Sequence, residues 1–208
     1  MLKKAPFLVA TLVLTALVAA GCRNPTAPAT EVPPNWVQMS DNPSGITIAV
    51  PSEWVQIPMP KNSNVADFNQ TAVPLATENL KLLRAVNQAR QVLQFGGKLF
   101  AVTTDGQTRV NITVDKTKEK TLEQLAANVV PQLEDSGARD LTQEQVTTGA
   151  GPALKLRFKF PIDGEGNETV LADEWQYYVL HNGKSYVLTV INPTGALADQ
   201  IAGTLRLR

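Results

Sequence analysis

The 208-residue chain carries one cysteine, Cys22, and one histidine, His181, and each scarcity removes a class of chemistry. A lone thiol closes no disulfide within the chain, so stability must come from a packed core. One imidazole and one thiol do not make a usual zinc ligand set, and acylation of the thiol would leave no His–Cys pair either. Charge of either sign is also missing in excess: Lys plus Arg and Asp plus Glu stand at 19 each, so no basic surface points to nucleic acid. A long apolar span is lacking too. The uncharged run Ala5–Ala20 holds sixteen residues, which as a helix reaches only ~24 Å and falls short of the ~20 residues a membrane span prefers. Charged residues make up 18% and hydrophobic residues 43%, a balance that supports a folded globular body rather than a disordered chain.

What is present at the N-terminus is an export pattern. Lys3 and Lys4 precede the short apolar run, which ends Ala19-Ala20-Gly21-Cys22. A basic start, a short apolar centre and small residues before a cut describe a secretory signal peptide. The final four residues resemble the lipobox of bacterial lipoprotein signals. Residues 1–21 are therefore expected to be removed between Gly21 and Cys22, and Cys22 to be acylated. Two or three acyl chains would then hold the protein stably at the extracytoplasmic face of a membrane. Residues 22–43 contain Pro25, Pro28, Pro33, Pro34 and Pro43 and lack apolar periodicity, which predicts a semi-rigid tether, with Trp36 and Val37 docking on the body. One domain is expected over 44–208, folding as a monomer without the tether.

Within that body, Gly45–Val50 alternates up to Pro51 and reads as a strand, with Trp54–Ile57 as its return. Glu78–Phe95 reads as the best helix, capped by Thr77 and stopped by Gly96-Gly97. Leu99–Thr103 and Val110–Val114 read as a hairpin around Asp105-Gly106. Thr121-Leu122-Glu123-Gln124 is a capping box that opens a further helix, which Pro131 should bend or shorten. Leu154, Leu156, Phe158 and Phe160 alternate with Lys155, Arg157 and Lys159. Asn182-Gly183 between Trp175–Leu180 and Ser185–Ile191 predicts a type I′ hairpin, setting Trp175, Tyr177 and Val179 beside Val190, Leu188 and Tyr186. The other face of that hairpin, with Glu174, Gln176 and Tyr178 beside Ile191, Thr189 and Val187, is of mixed polarity. A last helix is expected near Thr194–Ala202. This order implies an α+β fold, an antiparallel sheet flanked by helices.

The stretches Gly45–Trp54, Arg109–Val114 with Thr121–Leu125, and Gln176–Thr189 resemble the PsbP-like fold family. That family includes the extrinsic PsbP protein of photosystem II, a Ran-binding nuclear import factor and small bacterial lipoproteins. The resemblance covers about Ser44 to Arg208. It implies an α/β/α sandwich used for binding or assembly without catalysis, and it carries over no site residue.

No motif supplies catalytic, cofactor-binding or metal-binding residues. His181 flanks a turn. Asp173 and Glu174 are neighbours on a strand and point to opposite faces, unlike a working acid–base pair. The loop Asp163–Glu168 has oxygen ligands without the spacing of an EF-hand. Gly149-Ala150-Gly151 precedes a strand rather than opening a helix, unlike a phosphate loop. The Lys155–Arg157–Lys159 stripe offers a face for anionic lipid headgroups, but better suits pairing with acidic neighbours across strands on a solvated face. Two functions remain: a tethered non-enzymatic binding or assembly module for an envelope protein, or a carrier of a small apolar or lipid ligand held between the sheet and the long helix.

Overall fold

The computed structural model describes residues 31–163 and 169–208. The stretch read as a signal peptide, Gly21, Cys22, the first part of the proline segment and the loop at 164–168 lie outside the described residues. Ten strands and four α-helices are placed among the described residues.

The chain enters as strand β1 (Trp36–Asp41), which pairs antiparallel along its whole length with β2 (Ile46–Pro51), Met39 opposite Ile48. The expected boundary at Ser44 is therefore corrected: the folded unit includes residues 36–41. Met39 is buried and Trp36 and Val37 pack against the core, so this part of the proline segment contributes apolar surface as well as length. The turn between the strands closes on Gly45, whose φ of +67° is the left-handed conformation glycine adopts without strain.

Strand β3 (Val55–Gln56) does not return along β2 as expected. It pairs instead with β4 (Gly97–Val102), across the helices that separate them in sequence. The first of these, α1 (Val65–Glu78), is capped by Asn64, whose side chain accepts from the Ala66 amide at 2.8 Å. Helix α2 (Leu83–Gln94) follows a short 3₁₀ turn at Leu80–Leu82. The long helix thus starts later than expected, and Thr77 lies inside α1 rather than capping α2.

Strand β5 (Arg109–Lys116) completes the expected hairpin with β4. Helix α3 (Leu122–Asp135) is capped as predicted, Thr121 Oγ1 accepting from the Gln124 amide at 3.2 Å. It runs on through Pro131 to Asp135, so the proline does not shorten it. Strands β6 (Arg139–Thr148), β7 (Gly151–Asp163), β8 (Thr169–His181) and β9 (Lys184–Ile191) form a meander. The β8–β9 register agrees with the expectation at Trp175, Tyr177 and Val179. Asn182 and Gly183 have φ of +50° and +70°, as a type I′ turn requires. Gly149 and Ala150 form the β6–β7 turn, with the Gly149 amide donating to Ala202 O at 3.0 Å, so this glycine segment docks on the fold instead of opening a phosphate loop. Helix α4 (Leu197–Thr204) begins three residues later than expected, and β10 (Arg206–Leu207) joins β2.

The large sheet has the order β3-β4-β5-β9-β8-β7-β6 and is antiparallel throughout; a small sheet has the order β1-β2-β10. The fold is α+β in three layers. On one face of the large sheet, Ile112, Tyr177, Leu188 and Val190 pack beneath α4 and the small sheet. Thr204 in α4 locks that layer down: its hydroxyl accepts from the Ala49 amide at 2.8 Å. On the opposite face, α1 and α2 cover Phe100 and Val102 at one end, and α3 covers Leu154, Leu156 and Phe158 at the other.

Candidate functional site

On that second face the α1–α2 pair and α3 stand over separate core clusters. Between them the middle strands are left uncovered, and their outward residues are largely polar: Arg109 and Asn111 from β5, Thr189 from β9, Glu174 and Gln176 from β8, with Ile191 and Val187 of β9 among them. This leaves a groove of about 990 Å³ whose floor is the sheet and whose wall is α2, through Arg84, Asn87, Gln88 and Gln91. The hairpin loop Asp105–Gln107 borders it as well. At the lip stand Leu80 and Phe95, 77% and 74% exposed, which makes an apolar rim over a polar floor.

The period of two in a strand explains the floor. Arg109 and Asn111 alternate with Val110 and Ile112, which belong to the core under α4. Glu174, Gln176 and Tyr178 alternate with Trp175, Tyr177 and Val179 in the same way. The three form a chain of hydrogen bonds along β8: the Tyr178 hydroxyl donates to Gln176 Oε1, and Gln176 Nε2 donates to Glu174 Oε1 at 2.6 Å.

Two opposite charges are held here under poor solvation. Arg109 is 7% and Glu174 9% exposed, and register places both opposite Ile191, one on each side of β9. Among the described residues neither reaches an oppositely charged group within ion-pair distance. Burial pulls the Arg109 guanidinium down to about 10, opposed by the attraction of Glu174 and aided by the repulsion of Arg84. Burial pushes the Glu174 carboxyl up, against the Gln176 hydrogen bond and the Arg109 charge. Burial, followed by the Glu174 charge, also raises the Tyr178 phenol. Both members of the Arg109–Glu174 couple are thus disfavoured in their charged forms.

A prediction follows from the direction of the Glu174 shift. A carboxyl whose folded pKa lies above its unfolded value binds its proton more tightly in the native state. Its contribution to stability is complete below the unfolded pKa and is lost as pH rises through the folded one. Glu174→Gln should therefore raise the melting temperature at pH 7, with the gain shrinking towards pH 4. Thermal melts of both proteins across that range check it; a gain that is constant with pH would contradict it.

The residues singled out from sequence lie elsewhere. His181 sits at the end of β8, half-buried, beside Asn182 Nδ2 at 2.9 Å and edge-on to the Tyr186 ring. Asp173 is exposed while Glu174 faces the groove, so the two carboxylates point apart. In the basic stripe, Lys155 donates to Asp199 Oδ1 at 2.8 Å and lies 3.1 Å from Glu144 Oε1, while Lys159 pairs with Asp140 at 3.1 Å. Lys155 is buried rather than solvated, held over the Trp175 ring at 4.6 Å. No cluster of three or more His, Cys, Asp or Glu residues able to hold a metal occurs among the described residues. No helix among them is long and apolar enough to cross a membrane. The groove floor was not singled out from sequence; its one visible signal was the mixed polarity of the outer β8–β9 face.

No family model and no curated protein matches this sequence. Solved structures do. A solution structure of a cyanobacterial PsbP (CyanoP) from Synechocystis sp. PCC 6803 aligns over 84% of this chain and 93% of its own, with 10% identity and a TM-score of 0.47. LpqN of Mycobacterium tuberculosis, described as involved in cell envelope biogenesis, aligns over 83% and 90%, with 12% identity and a TM-score of 0.42. A crystal structure from Bacteroides thetaiotaomicron aligns over 79% of this chain and 45% of its own, with 12% identity and a TM-score of 0.45. The chain is structurally similar to a PsbP-like protein and to LpqN at low sequence identity. Likeness of this degree concerns the fold and leaves the site to be argued from its own residues.

Proposed function

We propose that this chain is a lipid-tethered, extracytoplasmic binding module that works as a monomer without catalysing a reaction, and that it takes its ligand in the groove beside α2. The observation that carries this reading is the uncovered polar floor. An open groove of about 990 Å³, on whose floor the buried side chains of Arg109, Asn111 and Thr189 have no partner among the described residues, is a receptor for something with matching groups. The non-enzymatic part rests on composition and placement. The lone histidine does not line the groove, and the lining contains no serine, cysteine or histidine. The tether rests on the lipobox-like residues ending in Gly21-Cys22.

Cys22→Ala should shift the protein from the membrane fraction to the soluble fraction and abolish palmitate incorporation. Label retained by the variant would refute the anchor. For the groove, native mass spectrometry of the full chain extracted in mild non-ionic detergent should reveal a small polar or amphiphilic molecule retained by the protein.

The alternative, a carrier of an apolar ligand, is favoured by a different observation. The space expected beneath the long helix is filled by Leu82, Val86, Leu93 and Phe100. A slot of about 500 Å³ does open at the edge of α3, where Leu122, Ala126, Val130 and Leu154 are among its lining residues. A retained molecule lacking any polar group would move the assignment to that slot.

A further inference from the structure

We infer that the groove beside α2 is an oxyanion receptor in which Arg109, with Arg84, Asn111 and Thr189, binds a carboxylate or phosphate group of the ligand. The inference rests on the binding-module reading above and specifies its ligand chemistry.

The geometry is that of an unanswered cation. Arg109 is more than nine-tenths buried and lines the groove, and its side chain has neither a hydrogen bond nor an ion pair from any described residue. A guanidinium carries five N–H donors in a planar fork and keeps its charge in almost any surroundings, so holding it largely away from water, with only the groove side open and no protein acceptor, is costly. That cost is recovered when a planar or tetrahedral oxyanion accepts two of those bonds together. Arg84 on the α2 wall borders the same groove, and its charge repels that of Arg109. Two guanidiniums held within each other's field without an anion between them become mutually supportive once one enters.

The neutral donors stand where such an anion needs them. Asn111 lies two residues from Arg109 on the same face of β5, about 7 Å along the strand. Register pairs it directly with Thr189 on β9. Asn111 and Thr189 are 6% and 7% exposed, line the groove, and have no side-chain hydrogen bond to a described residue. An amide N–H₂ and a hydroxyl beside a guanidinium complete the shell of an oxyanion.

The remaining charges set the sign and the limit. Lys81, Arg84 and Arg109 border the groove against Asp105 and Glu174. Asp105 already accepts from the Thr103 hydroxyl and the Gln107 amide, and Glu174 accepts from Gln176, so neither closes on Arg109. Glu174 instead opposes an incoming anion from the next strand but one. The exposed side chains of Leu80, Leu83 and Phe95 at the rim allow an acyl chain to continue from the bound group, so the same oxyanion could arrive free or on a lipid headgroup.

The test is calorimetric titration of the full chain in non-ionic detergent micelles with sodium phosphate, sodium acetate and dihexanoyl phosphatidic acid. At least one should saturate at roughly millimolar concentration or below in about 0.15 M salt. Arg109→Gln should weaken that binding about tenfold or more, and Arg84→Gln about fivefold, as loss of charge-assisted hydrogen bonds implies. Arg84 is exposed, so its variant remains informative if Arg109→Gln fails to fold. Glu174→Gln should tighten binding, an opposite sign that general damage to the fold does not produce. Equal affinity for phosphate and the short-chain lipid assigns a free ligand; a clear preference for the lipid assigns a headgroup with its chain on the rim. The proposal is overturned if none of the three binds, or if binding is indifferent to Arg84→Gln and Glu174→Gln. A neutral molecule found cross-linked in the groove by a protein that ignores all three anions would overturn the oxyanion while sparing the binding module.

Discussion

Removing residues 23–42 is expected to cost the folded domain at least about 3 kcal/mol and to broaden or abolish its cooperative melt. The deleted stretch contains all of β1, whose six residues pair one for one with β2. Met39 alone is 5% exposed among Ile48, Val50 and Trp54, and losing a buried side chain of that size costs ~2–5 kcal/mol. Trp36 and Val37 withdraw further apolar contact, and one edge of β2 loses its partner, leaving a template for aggregation. Against a typical native stability of ~5–15 kcal/mol, this is a large fraction. Urea unfolding of the protein with and without the segment measures it. An unchanged midpoint would return β1 to the role of tether and place the boundary at Ser44.

The second large effect concerns Tyr177, the largest of the fully buried side chains and central to the layer beneath α4. Its ring is 1% exposed and its hydroxyl donates to Asp199 Oδ1 on α4 at 2.7 Å, the same oxygen that receives Lys155 Nζ. Tyr177→Ala should destabilise by about 4 kcal/mol, since it opens an aromatic-sized cavity between the sheet and α4. Tyr177→Phe should cost only about 1 kcal/mol, because Asp199 is part-exposed and keeps its lysine. The contrast separates packing from hydrogen bonding in holding α4. If the phenylalanine variant unfolded as readily as the alanine one, the Lys155–Asp199–Tyr177 cluster rather than the apolar core would be the anchor of that layer.

The parts of the fold that were legible in sequence were those governed by local rules. Asn182-Gly183 dictates a tight turn, and from that turn the whole β8–β9 register follows by counting. Thr121 with Gln124 marks the start of α3, and the alternation around Lys155–Lys159 marks β7. Most of the misreadings share a cause, which is proline. Pro33, Pro34 and Pro43 flank β1 and disguise a six-residue strand as linker. Pro58, Pro60 and Pro74 obscure α1, although Phe68, Ala72 and Ala76 recur on one buried face behind the Asn64 cap. Pro74 is tolerated there because tertiary burial of that face outweighs one missing backbone donor. The pairing of β3 with β4 spans two helices and has no local signature at all.

The groove was illegible for a related reason. Arg109 and Asn111 on β5 become neighbours of Glu174 and Gln176 on β8 only through β9, a strand more than seventy residues downstream of β5. The mixed polarity of the outer β8–β9 face hinted that something polar covers it. Which helices leave it uncovered depends on where α2 and α3 come to rest, and no periodicity in their sequences encodes the gap between them.

The most direct test of the binding groove places a photo-reactive residue at Gln91 on the α2 wall, or at Gln200 on exposed α4 in the opposite layer, in the full chain expressed in cells. Both positions are exposed, so either substitution should be borne by the fold. Irradiation followed by mass spectrometry is expected to yield a defined adduct at Gln91 and none at Gln200. An adduct at Gln200 with none at Gln91 would place the working surface on the α4 layer and contradict the account.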